Sequence, residues 1–185
     1  MLFRSALQGC VGGLLESGAP DEAFRLGPPA AAPTAPAVAP TLAITVQRPR
    51  APVVLDTSRI AIAPGGQRFD YYAGARWAEP APQMLQQNLV AALESSGRFA
   101  GVFAAPSRTP AELTLDVELR HFEAVASSPA AAPTVLVQLQ ASLVDARRAV
   151  RVTSFVSEAR VPAAANRRDA IVAAFERANA EVVQQ

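Results

Sequence analysis

Two segments that alternate between apolar and polar residues, with Leu136 as the exception, constrain the fold more than any other feature of the chain. Segments 113–120 and 135–143 each place an aliphatic side chain at every second position. A period of two turns one face of a strand toward the core and the other toward water. A polar turn at 145–148 and a third apolar segment, 150–158, follow. The sequence therefore predicts a three-stranded meander, whose last strand alternates poorly and forms a bulge or an edge.

Two other segments have the period of amphipathic helices. After Pro80, three Leu residues spaced four apart share one face, and Gly97 is a typical stop for a helix C-terminus. Near the end of the chain Asn166 is predicted to cap a second helix, and Ile171 and Phe175 lie on its apolar face. Neither helix carries the basic stripe of a helix that lies on a membrane surface.

Shorter apolar segments at 42–46, 60–62 and 68–72 and around Val102 are predicted as additional strands. The predicted fold class is α+β, with a mostly antiparallel sheet and two helices packed on one face. At 185 residues the chain has room for one such domain, predicted at 40–185, preceded by a tail.

The face of the sheet away from the helices is predicted to be polar. Leu136 occupies a position on that face, and Phe122 follows the first alternating segment. These two apolar residues predict that a partner covers part of this face.

The segment Tyr71-Tyr72-Ala73-Gly74-Ala75-Arg76-Trp77-Ala78-Glu79-Pro80 holds both Tyr residues and the single Trp of the chain. With Arg59-Ile60-Ala61-Ile62 upstream and the Leu-rich helix downstream, it resembles the ABC-type transport auxiliary lipoprotein family. The resemblance runs from about Pro40 to the C-terminus. Family members of the PqiC type are periplasm-facing lipoproteins that accompany MCE-domain lipid transport systems. The resemblance thus implies an MCE-domain protein and an ABC permease/ATPase complex as partners, and it leaves a homo-oligomer open.

Cys10 is the only cysteine, so the chain has no internal disulfide. Leu7-Gln8-Gly9-Cys10 is similar to a bacterial lipobox, in which the Cys is acylated; the alternative is a Cys that occurs there by chance. Residues 1–10 are too short for a full signal peptide, so we expect a truncated leader and a start further upstream. Val11 is not the Asp typical of inner-membrane retention. The predicted location is therefore the inner leaflet of the outer membrane, facing the periplasm.

Residues 11–39 are rich in Ala and Pro and are predicted to form an extended linker, because Pro supports neither a helix interior nor a central strand. Within this linker, residues 23–26 are predicted to form a short strand at the sheet edge. The 17 basic and 16 acidic residues nearly balance, which argues against binding to nucleic acid.

An enzymatic function lacks the necessary residues. His121 is the single His and is interpreted as a structural residue, and no Ser lies in a Gly-x-Ser-x-Gly segment. Asp116 and Glu118 share one strand face and are interpreted as exposed solubility charges. We therefore expect a protein that is not an enzyme and that has no metal site and no cofactor.

Two interpretations of the aromatic segment remain open. Tyr71, Tyr72, Arg76 and Trp77 either pin the segment onto the sheet or form a partner contact, and the second interpretation requires an exposed Trp77. The predicted function is a lipid-anchored accessory component of an ABC/MCE-type lipid transport system. The alternative is a freestanding envelope lipoprotein that binds a soluble ligand or a cell-wall component.

Overall fold

Eight strands and two helices account for the regular elements in the part of the chain that the structure describes. The structure is a computed structural model, and it describes residues 21–27, 39–65, 68–128 and 130–185. In chain order the elements are β1 (Glu22–Phe24), β2 (Ala43–Val46), β3 (Arg59–Pro64), β4 (Asp70–Trp77), α1 (Ala81–Ser95), β5 (Gly101–Ala104), β6 (Leu113–Ala126), β7 (Thr134–Asp145), β8 (Val150–Pro162) and α2 (Arg168–Gln184). The predicted α+β class is confirmed.

The 14-residue strand β6 organises the sheet. Residues 44–46 of β2 pair with its beginning and residues 62–64 of β3 with its end, both in parallel. Between them Arg50 forms a bridge to Glu118, so the chain from β2 to β3 follows one side of β6. β7 occupies the other side, and β8 pairs with β7.

The sheet is mixed, whereas the sequence predicted a mostly antiparallel one. The pairs β1–β4, β2–β5, β2–β6 and β3–β6 are parallel, and β3–β4, β6–β7 and β7–β8 are antiparallel. Parallel neighbours need a crossover connection, and β3 reaches β6 only after β4, α1 and β5. Residue periodicity along one strand carries no information about the direction of its neighbour.

The three-stranded meander is confirmed, and a β-bulge corrects the prediction for Phe122. The register of β6 and β7 shifts between Leu119 and His121, so β6 residues after the shift exchange faces. Phe122 consequently lies in the core, 2% exposed. Leu136 is also buried within this chain. The expectation that the two residues mark a surface covered by a partner is therefore wrong.

The helices pack on the sheet and against each other, α1 beside β2 and β5 and α2 beside β7 and β8. Gly97 follows α1 with φ 63°, the left-handed conformation expected after a helix C-terminus. The second helix begins one residue later than predicted. Its N-cap is Arg167 rather than Asn166, because Arg167 still has extended φ and ψ angles of −148° and 154°.

Candidate functional site

Strand β4 departs from regular pairing inside the aromatic segment. Arg76 pairs with Arg59 and Tyr71 pairs with Ala61, so residues 72–75 of β4 lie opposite Ile60 alone. Gly74 lies in this bulge with φ 66°, a conformation that other residues adopt only with strain. The sequence therefore folds the segment into a local bulge between two regularly paired ends.

The C-terminal end of β4 carries Trp77 into the core. Trp77 is 0% exposed. Its ring lies edge-on to Phe175, with centroids 5.1 Å apart, and to Phe122 at 5.8 Å. Such edge-to-face pairs add to the burial of apolar area. The exposure that a partner contact by Trp77 requires is absent, and the geometry of this side chain is that of a structural residue.

The two Tyr residues lie near the N-terminal end of β4 and are both half-buried. The Tyr71 hydroxyl donates to the Val54 carbonyl at 3.1 Å, and Cζ of Arg59 lies 3.8 Å from the Tyr71 ring centroid. That distance is within the range of a cation–π contact. Burial raises the pKa of the Tyr72 hydroxyl.

Three arginines gather around the bulge. Arg59 and Arg76 are exposed and directly opposite each other on β3 and β4. Arg168 at the start of α2 donates from Nη1 to the Gly74 carbonyl at 3.2 Å, and the same atom lies 3.9 Å from a Glu22 carboxylate oxygen. No ion pair between described residues involves Arg59 or Arg76. Because Arg59 and Arg76 face each other without an acidic partner among the described residues, they leave a local excess of positive charge, and the two like charges repel.

We call the surface formed by Arg59, Tyr71, Tyr72, Arg76 and Arg168 the bulge patch. Of the four predicted site residues, Arg76 pairs with Arg59, and the Tyr71 ring lies under the Arg59 guanidinium. The Tyr72 hydroxyl is buried and lacks a hydrogen-bond partner among the described residues, and Trp77 lies in the core. Arg168 was not among the predicted site residues, since it is 94 positions from Gly74 in the chain. Only the sheet topology brings these distant residues together. Cys10, the predicted lipidation site, lies outside the described residues.

The other polar candidates form local pairs. His121 Nδ1 lies 2.6 Å from Oε1 of the buried Glu123, a partner that the sequence prediction did not include. Glu118 lies 3.6 Å from Arg120. Among residues 21–27, 39–65, 68–128 and 130–185, no group of three or more His, Cys, Asp or Glu side chains is arranged to hold a metal ion.

A cavity of about 670 Å³ opens between the C-terminal ends of α1 and α2 and the first half of β8. We call it the helix-end groove. Its lining has twelve apolar residues (Ile44, Leu89, Ala92, Leu93, Phe99, Leu115, Leu139, Ala141, Leu143, Phe155, Val182 and Val183) and five polar ones (Ser96, Arg98, Thr153, Gln184 and Gln185). This groove is not apparent in the sequence, because its residues come from six elements, the connection after α1, and residue 185 beyond α2.

The first half of β8 is exposed along its whole length, 150–156. Four of its apolar side chains are about half exposed: Val150, Val152, Phe155 and Val156. β8 pairs with β7 on one side only, so its other backbone edge is free of strand pairing in the described part of the chain. Neither α1 nor α2 is long and apolar enough to cross a membrane.

The fold and sequence together define a class of bacterial envelope proteins. A model of the family described as "ABC-type transport auxiliary lipoprotein component" matches residues 24–185, and the chain belongs to that family. Protein XCC0632 from Xanthomonas campestris has a similar structure, with a TM-score of 0.76 and 27% identity over 88% of this chain and 90% of that one.

A more distant likeness is to PelC from Paraburkholderia phytofirmans, whose structure is a dodecamer. Its TM-score is 0.48 in one crystal form and 0.50 in another, at 14% identity over 82% of this chain. At that identity the likeness extends to the fold alone. No curated protein matches the chain.

Proposed function

We propose that this chain is a non-enzymatic accessory lipoprotein of an ABC/MCE-type system that moves lipids between membranes. Membership of the transport auxiliary family supports the transport context. Acylation of Cys10 would anchor the protein in the inner leaflet of the outer membrane, with the domain in the periplasm. Each buried methylene of an acyl chain contributes about 0.8 kcal/mol, so several chains on one Cys hold a protein firmly.

The bulge patch is the proposed contact with the MCE-domain protein, and its unpaired positive charge is the observation that carries this proposal. Arg59 and Arg76 are exposed and have no acidic partner among the described residues. Tyr71 adds an aromatic surface fixed by its hydrogen bond to Val54. Arg and Tyr are enriched where interface residues contribute most to binding. The partner surface that complements this patch is acidic.

Anchoring also lowers the intrinsic affinity that such a contact requires. When two components are held at facing membranes, their effective concentration is high, and a small interface suffices.

A charge reversal tests the contact. Arg76→Glu removes little buried apolar area, because the side chain is exposed, but it inverts the charge at the centre of the patch. We expect the variant to fold and to lose copurification with the MCE-domain protein from detergent-solubilised native membranes. Arg108→Glu, which reverses an exposed Arg in the connection between β5 and β6, is the matched control and should copurify normally.

Two outcomes contradict the proposal in different ways. A folded Arg76→Glu protein that still copurifies and restores the envelope barrier excludes the bulge patch as the contact. Failure of the wild-type protein to copurify with any transport component undermines the transport function itself and favours the freestanding lipoprotein.

We also infer that several copies of the chain associate through the exposed half of β8. An edge strand with exposed apolar side chains and free backbone groups is a template for pairing with another chain.

A further inference from the structure

The helix-end groove has an apolar floor. Leu139 and Ala141 of β7 form part of this floor and are 1% and 2% exposed. The walls are only partly buried and include Leu93 of α1. Pockets of roughly 300–1,000 Å³ that are mainly apolar, with a few polar groups, are typical ligand sites. The volume of about 670 Å³ and the lining of this groove fit that description.

The distribution of polar groups limits the kind of ligand. Arg98, just after α1, is the only charged side chain among the described residues that line the groove, and it is exposed. No ion pair between described residues involves it. The C-terminal ends of both helices carry partial negative charge and disfavour an anion, so Arg98 is the one charged lining side chain that attracts it.

The apolar floor distinguishes an acyl chain from a peptide. A peptide would bring backbone N–H and C=O groups against side chains that offer them no hydrogen bond, and each unpaired group is costly. An acyl chain has no such groups, while its head can stay in water beside an arginine. We propose that the helix-end groove binds one acyl chain of an anionic amphiphile, with the head group next to Arg98. This inference goes beyond the proposed docking function and does not depend on it.

The test uses the purified chain and saturated fatty acids from octanoate to stearate, which displace dansyl-labelled undecanoate. We expect saturable binding whose Kd falls about fourfold for each added methylene, the value that corresponds to ~0.8 kcal/mol, until the groove is full. Inorganic phosphate carries negative charge like the head group but has no acyl chain, so it should not displace dansyl-labelled undecanoate. Chain-length independence or displacement by phosphate would overturn the proposal.

Two adjacent residues of β8 provide a matched pair of variants. Thr153 lines the groove, whereas Ser154 is not among its lining residues, and both are exposed. We expect Thr153→Trp to fill the groove and raise the Kd for palmitate more than about tenfold, the loss of roughly two buried methylenes. Ser154→Trp should leave it within about twofold. Equal effects of the two variants would contradict an acyl site in the groove.

The head-group assignment has its own test. Arg98→Glu should weaken palmitate binding and leave binding of neutral hexadecanol unchanged. Equal losses of affinity for both ligands would mean that Arg98 does not contact the head group.

Sedimentation of the same samples tests whether the groove instead binds a second copy of the chain. If wild-type chain binds no fatty acid and only Thr153→Trp changes the oligomeric state, the groove holds a second copy and the acyl proposal is wrong. Because no transport partner is present, failure here leaves the proposed docking function untouched.

Discussion

The sheet has three edge strands in the described structure, β1, β5 and β8, and the exposed surfaces of β1 and β8 differ in length and chemistry. β1 has three residues, pairs with the end of β4, and presents Glu22 close to Arg168. β8 has 13 residues, and its first half exposes a row of apolar side chains with no strand beside them in the described structure. Short, charged edge strands resist pairing with other chains, and long apolar ones favour it.

This difference shows that position in the sheet, rather than aromatic composition, determines which surface is available. The β4 segment next to β1 holds Trp77, yet that ring is completely buried against Phe175. β8 has neither Trp nor Tyr, yet Phe155 is 45% exposed. The β4 side exposes charged side chains, and the β8 side exposes apolar ones.

Truncation of one aromatic side chain in β4 and one in β8 should give the largest difference in the free energy of unfolding. Trp77→Ala leaves a cavity in the core and is expected to lower the free energy of unfolding by about 3–5 kcal/mol. Phe155→Ala removes a half-exposed ring and should cost about 1 kcal/mol or less. Urea denaturation followed by far-UV circular dichroism measures both. Similar losses for the two variants would show that β8 is as firmly packed as β4.

A smaller change in stability but a clear change in association is expected for Val152→Lys and Val156→Lys. Both side chains are exposed, so each substitution should alter unfolding free energy by no more than about 0.5 kcal/mol. A charge on the free edge should reduce pairing between copies. Analytical ultracentrifugation at several concentrations compares the variants with Glu94→Lys, which changes an exposed residue of α1. An unchanged mass distribution would exclude the first half of β8 as the self-association surface.

The limits of the sequence prediction follow from what periodicity records. Alternation at 113–120 and 135–143 predicted the meander, and the helical periods predicted α1 and α2, because each pattern reflects burial along one element. The alternation did not predict that Phe122 turns to the core face, since the one residue inserted at a β-bulge cannot be recognised in the apolar–polar pattern.

Similarly, the candidate surfaces depend on residues that are distant in sequence. The contact of Arg168 with Gly74 and the convergence of six elements on the helix-end groove arise from tertiary packing. The aromatic segment was recognisable from its composition, but the burial of Trp77 was not, because it depends on Phe122 and Phe175 from β6 and α2.

The smallest expected effect concerns the loop between β2 and β3, whose Val54 carbonyl accepts the hydrogen bond from Tyr71 of β4. Arg48 donates to both carboxylate oxygens of Asp56, at 2.6 and 3.2 Å, and this hydrogen bonding holds the pKa of Asp56 below its ordinary value. A carboxyl group whose pKa is lower in the folded state stabilises the fold above its unfolded pKa of about 3.9 and loses that contribution as pH falls through the folded value.

Both partners are substantially exposed, with side-chain exposures of 45% and 37%, so solvent and salt screen the pair. We therefore expect Asp56→Asn to cost less than about 1 kcal/mol at neutral pH. The difference from wild type should shrink as the pH falls below about 3.9 and should also shrink in high salt. Glu94→Gln, an exposed residue of α1 without a salt bridge among the described residues, is the control in the same denaturation series. A pH-independent difference would mean that Asp56 supports the loop through packing rather than charge.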